Sequence, residues 1–380
     1  MRRYKTYING EWFEGTSEIV LRSVDPSNNK ELGEIVQNSK EDVEYAIESA
    51  SRSFYKTREW RDLDVQQRSD KLLKIADMIE SEIDEIAKTE SMDNGKPLRE
   101  AQADVDDAVH CFRYYAGLIR TPSGQTYNVN SNFGNMHSYT VKEPVGVCAL
   151  ITPWNFPFLM SVWKIAPALA AGNSIIFKPS SETVLSALKL FEILDKCDLP
   201  KGTANLVIGS GSTVGNLLAE SKKVGMITFT GSTSVGQGIM RAAAGNVKKI
   251  GLELGGKSPN IVFADTDIDK TVEWVMMGIF LNQGEVCCAG SRLIIEKSIK
   301  DKFLKKLVDK TDKLTLGAPL DNPDMGPLIS KKHMQDVLGY IEKGKAEGAK
   351  LLCGGYKCTD DDLVNGNFIK PAIFDDCTSD

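Results

Sequence analysis

Val145-Gly146-Val147-Cys148-Ala149-Leu150-Ile151-Thr152 is the stretch that decides the fold. This nearly unbroken apolar run is strand-sized, and Thr152-Pro153-Trp154-Asn155-Phe156-Pro157 stops it with turn-forming residues. A strand apolar at successive positions is covered on both faces, as parallel strands are. The same rhythm continues downstream. Apolar runs Ser174–Phe177, Ala204–Val207 and Met226–Thr230 alternate with helical patterns over Thr183–Cys197, Ser212–Glu220 and Ser234–Ala244. Strand–helix alternation implies parallel βαβ units, whose ligands sit at the carboxyl ends of the strands.

Upstream, Asn9-Gly10 marks a hairpin within residues 1–25, and residues 40–115 carry helical periodicity broken at Asn94-Gly95 and Pro97. Thr126–Val141 reads as a polar extended ribbon turning near Asn132–Asn135. Beyond Gly256 a second α/β pattern follows, with strands at Asn260–Phe263 and Arg292–Ile295 and helices at Asp267–Leu281 and Ile299–Leu314. A helix near Lys331–Glu347 then precedes a strand-like run, Phe368–Phe374.

Composition narrows the function. A chain of 380 residues, 42% hydrophobic and 26% charged, is expected to form two or more globular domains. Its net charge of -6 speaks against a general nucleic-acid binder. No run approaches the roughly 18 apolar residues of a membrane helix, and the N-terminus lacks a signal-peptide core. The eight cysteines contain no C-x-x-C pair and read as reduced thiols of a cytoplasmic protein. None of the three histidines (His110, His137, His333) has zinc-ligand spacing, so no metal is expected.

Four segments carry chemistry. In Asn282-Gln283-Gly284-Glu285-Val286-Cys287-Cys288-Ala289-Gly290-Ser291-Arg292, a cysteine on a glycine-bounded loop can face a cleft and act as a nucleophile. Alone, it reads as readily as a small apolar thiol in the core, which is the expectation for Cys288. In Glu253-Leu254-Gly255-Gly256-Lys257-Ser258-Pro259, a glutamate in apolar surroundings is expected to have a raised pKa and to activate water; alone, it reads more readily as a charged residue at a strand end. Asn155, held among prolines and aromatics, can donate to an oxyanion or merely close a turn. Phe229-Thr230-Gly231-Ser232-Thr233-Ser234-Val235-Gly236 ends a strand and opens a helix, whose amides suit a pyrophosphate; Ser232 serves equally as an N-cap. Gly209-Ser210-Gly211-Ser212-Thr213-Val214-Gly215 has one residue too many for the dinucleotide fingerprint, though as a loop after a strand it can still touch a nucleotide.

Taken together, these segments resemble the aldehyde dehydrogenase superfamily. The likeness runs from Tyr7 onward, and its most specific parts are Glu253–Pro259 and Gly284–Arg292. Pro153–Pro157, Phe229–Gly236 and Lys178-Pro179-Ser180 follow in the family's order. The nearest group holds the general, retinal-type and betaine-aldehyde-type enzymes. The resemblance implies a Rossmann-like cofactor domain over residues 1–125 and 145–256, an oligomerisation hairpin over 126–144, and an α/β catalytic domain over 257–380. It implies Cys287 as nucleophile, Glu253 as general base, Asn155 as oxyanion donor and Lys164 as a supporting charge; a surface lysine is a comparable reading of the last. Nucleotide contacts fall to Ile151, Thr152, Pro153, Trp154, Lys178, Ser180, Ser181, Gly211, Ser212, Gly231, Ser232, Gly236 and Leu254. Phe156, Trp163 and Leu281 line the substrate tunnel. The implied reaction is oxidation of an aldehyde to an acid with NAD, or NADP, in a homodimer or homotetramer.

Three departures from the family pattern bear on this. Ser181 stands where many NAD-specific relatives carry a glutamate for the adenosine ribose, which leaves NADP open. Leu281 stands where betaine-aldehyde specialists place a tryptophan, which favours an apolar aldehyde. The chain stops before the family's E-x-F-G-P segment, so a C-terminally incomplete fragment is expected, and a non-catalytic nucleotide-binding or structural role is the alternative.

Overall fold

The computed structural model describes residues 2–121, 123–360 and 362–378. At its centre lies a seven-stranded sheet in the order Lys249–Leu254, Met226–Gly231, Val147–Ile151, Ser174–Lys178, Ala204–Leu206, Thr6–Ile8, Glu11–Phe13. The first five strands are parallel and the last two pair antiparallel. Val147–Ile151 is buried at every residue, as its apolar run predicts. Alternate side chains go to opposite faces of the sheet. Cys148 and Leu150 join a core made by the helices Val65–Ser81, Leu98–Leu118, Pro157–Ala170 and Leu185–Lys196. Val147, Ala149 and Ile151 join a second core with Val43, Ile47, Leu218 and Ile239 from the helices on the other face.

From Val147–Ile151 the chain moves out one way through Ser174–Lys178 to Ala204–Leu206. It then returns to lay Met226–Gly231 and Lys249–Leu254 on the other side. The direction therefore reverses beside Ile151, and all five parallel strands end on the same edge. Such a switch point is where doubly wound sheets open a ligand crevice.

Local chemistry sets the boundaries. Asn9 and Gly10, at φ 57° and 79°, close the two-residue turn between Thr6–Ile8 and Glu11–Phe13. Reciprocal capping boxes, Ser39 with Asp42 and Asp64 with Gln67, start the Lys40–Arg52 and Val65–Ser81 helices. Gly95, at φ 100°, ends the Ile83–Asn94 helix. A three-stranded sheet of Arg3–Tyr4, Lys30–Val36 and Val20–Asp25 extends the expected N-terminal strands past residue 25.

Beyond residue 256, Pro259–Val262 and Arg292–Ile295 pair in parallel. Val262 packs with Val272 and Val275 of the Ile268–Phe280 helix and with Phe303 and Leu307 of the Lys300–Thr311 helix. The expected strand Phe368–Phe374 is not continuous. Ile369 forms an isolated bridge to Lys357, and the strand is Ile373–Asp375, paired with Lys350–Cys353. Pro371, which has no N–H to give a ladder, interrupts the run. Strands Thr126–Ser131 and Gly134–Tyr139 form a hairpin that is exposed almost throughout. No helix of the described residues is long and apolar enough to cross a membrane.

Candidate active site

The thiol loop begins where the Ile268–Phe280 helix stops. Asn282, Gln283 and Gly284 take φ values of 48°, 57° and 79°, three left-handed residues in succession and two of them not glycine. Such a backbone is strained and persists only if its surroundings hold it. Here the Asn282 N–H donates to Glu100 Oε2 at 2.9 Å, and Asn282 Nδ2 donates to the carbonyls of Asn155 at 2.7 Å and Glu285 at 3.3 Å. The turn delivers Cys287 to the surface. The Glu253–Pro259 stretch lies directly against it: a Cβ on Gly256 would come to 3.2 Å from the Cys287 carbonyl oxygen. The sequence expectation that this glycine pair lets another chain segment approach is met at Gly256.

Asn155 reaches the same loop from the switch point, its Nδ2 donating to the Glu285 carbonyl at 2.7 Å. An amide carries two N–H groups, so the second remains to serve a ligand. The segment around Asn155 is pinned from the side. Asn94 Nδ2 donates to the Trp154 carbonyl at 2.8 Å, and the Lys96 ammonium sits 4.1 Å from the Phe156 ring centroid.

Other expected residues fall differently. Cys288 is exposed beside Cys287, not buried in a core, because both belong to one turn over the cleft. Burial, and then the adjoining Cys288, pushes the Cys287 thiol up; the backbone N–H groups that favour its thiolate do not offset this. Glu253 is exposed, near the end of the edge strand Lys249–Leu254, so the apolar surroundings expected for it are not found. Lys164 is no surface lysine: it is buried in the Pro157–Ala170 helix and donates to Thr228 Oγ1 at 2.9 Å. Burial lowers it to about 8, against the opposing pull of the Glu253 carboxylate. Of the three expected tunnel residues, Phe156 is half-buried, while Trp163 and Leu281 are 53% and 42% exposed.

The carboxyl edge of the sheet gathers the expected nucleotide contacts. Ile151 to Trp154, Lys178 to Ser181, Gly231 with Ser232, and Leu254 all stand at or just past the ends of parallel strands. Lys178 is buried, and its only hydrogen-bond partner among the described residues is the Pro179 carbonyl, at 3.0 Å. Burial lowers its pKa to about 8. Nearby strand ends add Thr152 Oγ1 and Thr230 Oγ1, both buried without a partner. Buried polar groups are costly when unpaired, so these are the positions at which a polar ligand would be stabilised. Ser181 is engaged: its hydroxyl donates to the Gly209 carbonyl at 3.0 Å and ties down the loop holding Gly211 and Ser212. Ser180 Oγ accepts from the Glu182 N–H. Ser232 caps the Thr233–Ala243 helix by accepting from the Val235 N–H, and the absent side chain of Gly236 lets that helix sit on Leu254. A buried ammonium, two unpaired hydroxyls and a helix N-terminus on one crevice fit a dinucleotide.

Sequence reasoning missed several residues. His333 lies outside every motif, yet its ring stands 5.1 Å from that of Trp154 and its Nε2 3.6 Å from Glu285 Oε1. Asn94 approaches from the Ile83–Asn94 helix, Glu100 from the Leu98–Leu118 helix, and Lys96 from the turn between them. Only Asn282 and Glu285 sit inside a quoted motif, and the motif said nothing of where their side chains go. Among the described residues, no group of three or more His, Cys, Asp or Glu side chains is placed to hold a metal ion.

Comparison with known proteins places the chain in a family. Residues 12–380 match the sequence profile of the aldehyde dehydrogenase family. The chain is 45% identical over 375 residues to a betaine aldehyde dehydrogenase of Bacillus subtilis, covering 98% of this chain and 76% of that protein. It is 42% identical to the peroxisomal aminoaldehyde dehydrogenase 1 of Pisum sativum, covering 98% and 75%. Among solved structures, a betaine aldehyde dehydrogenase of Staphylococcus aureus in complex with NAD+ superposes with a TM-score of 0.95 at 41% identity, covering 98% of this chain and 74% of that one. The chain belongs to the aldehyde dehydrogenase family.

Proposed function

We propose that the protein oxidises an aldehyde to a carboxylic acid with NAD+, with Cys287 as the nucleophile. The observation that carries this reading is the bond from Asn155 Nδ2 to the Glu285 carbonyl, which sets an amide donor two residues from the thiol. Cys287 Sγ, once deprotonated, adds to the aldehyde carbon. The second Asn155 N–H and the Cys287 backbone N–H take the developing oxyanion. Bound NAD+ supplies the acceptor for the hydride that leaves as the thiohemiacetal collapses. Cys287 then holds the acyl group as a thioester. Exposed Glu253 has access to water and takes its proton as the water attacks the thioester carbon; the C–S bond breaks, the Cys287 thiolate leaves and the acid is released, while Lys164 sets a positive charge near the Glu253 carboxylate. Lys178, Thr152 and Thr230 offer unpaired hydrogen-bonding groups to the nucleotide, and Ser232 with Gly236 shapes the helix end that faces its phosphates.

NAD+ is favoured over NADP+ by the S. aureus relative solved with NAD+. Although the B. subtilis and S. aureus relatives are named for betaine aldehyde, an apolar aldehyde suits this chain better. Leu281 offers no ring to a quaternary ammonium. In the same reading, residues 1–125 with 145–256 form the cofactor domain, 257–380 the thiol domain, and the 126–144 hairpin joins subunits in a homodimer or homotetramer.

Steady-state NADH production from hexanal and from betaine aldehyde tests the reading. Hexanal is expected to have the higher kcat/KM, and NAD+ to be preferred over NADP+. Absence of NADH from any aldehyde would overturn the function, and a higher kcat/KM for betaine aldehyde would overturn the substrate class.

A further inference from the structure

Glu285 precedes Cys287 by two residues and takes no part in the steps above. Its side chain is only 2% exposed. Oε1 accepts from the Ile329 N–H at 3.0 Å, and Oε2 is buried with no partner among the described residues. Its backbone oxygen, meanwhile, accepts from Asn155 Nδ2 and from Asn282 Nδ2. One residue thus touches three separate parts of the chain: the thiol loop, the switch-point segment and the loop ahead of the Lys331–Ala346 helix.

That last loop is a firm support. The Arg99 guanidinium donates to the carbonyls of Asn322 at 2.9 Å, Pro323 at 2.6 Å and Asp324 at 3.3 Å. Gly326 lies so close to the Gly95 carbonyl oxygen that a Cβ there would come to 1.9 Å. The Ile329 N–H is therefore presented from a fixed segment. A buried carboxyl is costly, and an apolar side chain of similar volume would fill the same space without that cost. What the carboxyl adds is the tie to Ile329.

We infer that Glu285 is a positioning residue: its carboxyl pins the strained thiol loop to the Ile329 segment, and its carbonyl thereby holds the Asn155 amide beside Cys287. This rests on the proposed partnership of Cys287 and Asn155 in aldehyde oxidation. Burial pushes the Glu285 carboxyl up to about 8, so at neutral pH the pin is the uncharged acid. The titratable groups around it are few. Lys96 contributes its charge from the turn after Gly95, where it is itself paired with Asp104 and lies 3.8 Å from Glu90, and His333 faces Glu285 from the Lys331–Ala346 helix, held below its ordinary range by burial. Glu100 takes the Asn282 N–H from the Leu98–Leu118 helix and is itself pushed up by burial. A glutamine reproduces the neutral acid in shape and still accepts from Ile329, whereas an aspartate is one methylene too short.

Glu285→Gln and Glu285→Asp in the full chain distinguish a pin from a filler. We measure kcat and KM with hexanal and NAD+ from pH 6 to 9, together with the rate at which iodoacetamide alkylates Cys287. Glu285→Gln should keep kcat within about threefold. Glu285→Asp should lose roughly tenfold or more in kcat, as misplacing an oxyanion donor does, with KM for NAD+ unchanged and the alkylation rate altered. Native kcat in the aspartate variant, or an equal loss in both variants, overturns the inference. If the aspartate variant does not fold, glutamine decides alone: a loss of about tenfold or more in its kcat overturns it. Cys287→Ala serves as a separate control, since activity in that variant breaks the underlying reading, whereas native kcat in Glu285→Asp with an inert Cys287→Ala breaks only the role of Glu285.

Discussion

Lys178 shows what single residues settle. An ammonium has three donors, and this buried one spends a single hydrogen bond on the Pro179 carbonyl. Its remaining donors have no protein partner among the described residues, at the strand end where the nucleotide is proposed to lie. We expect Lys178→Met to raise KM for NAD+ by about tenfold, the value of a charged hydrogen bond, with kcat little changed; an unchanged KM would remove Lys178 from the cofactor site. Glu285 gives a prediction on stability. With its folded-state carboxyl near 8 against an ordinary value of 4.5, the folded chain keeps a proton that the unfolded chain releases. Its contribution to stability is therefore present below about 4.5 and lost as pH rises toward 8. Denaturation midpoints across that range should fall less steeply in Glu285→Gln than in the native chain, and parallel slopes would contradict the burial argument.

At the scale of elements, the legible parts are those fixed by local chemistry. Val147–Ile151 could be read because burial on both faces leaves no polar position, and Asn9-Gly10 because few residue pairs adopt two positive φ angles. The thiol loop was only half legible. Gly284 announces a turn, but Asn282 adopts left-handed backbone where Glu100 and Asn155 hold it, and those two partners come from distant segments. For the same reason the exposure of Cys288, the exposure of Glu253 and the burial of Lys164 were misjudged or left open. Each depends on what another segment does or does not cover. Two glycine substitutions test the packing of elements. Gly290→Ala would set a Cβ 2.1 Å from Asn260 Nδ2 and should cost roughly 1–3 kcal/mol, displacing the thiol loop. Gly238→Ala meets nothing within 4 Å inside the Thr233–Ala243 helix and should stabilise by about 0.5–1 kcal/mol. Thermal melts that rank the two in the opposite order would contradict this packing.

Across the whole molecule, the crevice belongs to one sheet and the thiol to a loop beyond it, so activity depends on how segments far apart in sequence meet. The Thr126–Tyr139 hairpin stands apart from both. Tyr127, Val129, Met136 and Tyr139 are exposed on it, and Phe133 at its turn is 95% exposed. Unpaired strand edges carrying apolar side chains favour association. If the hairpin joins subunits as proposed, Val129→Glu should lower the mass seen by light scattering toward that of one chain; an unchanged assembly would place the interface elsewhere. The chemistry itself has a more direct test. Glu253→Gln, mixed with hexanal and NAD+ and quenched, should give a peptide in which Cys287 carries the hexanoyl mass, with one NADH formed per site. NADH without an adduct, or an adduct on Cys288 alone, would contradict Cys287 as the nucleophile.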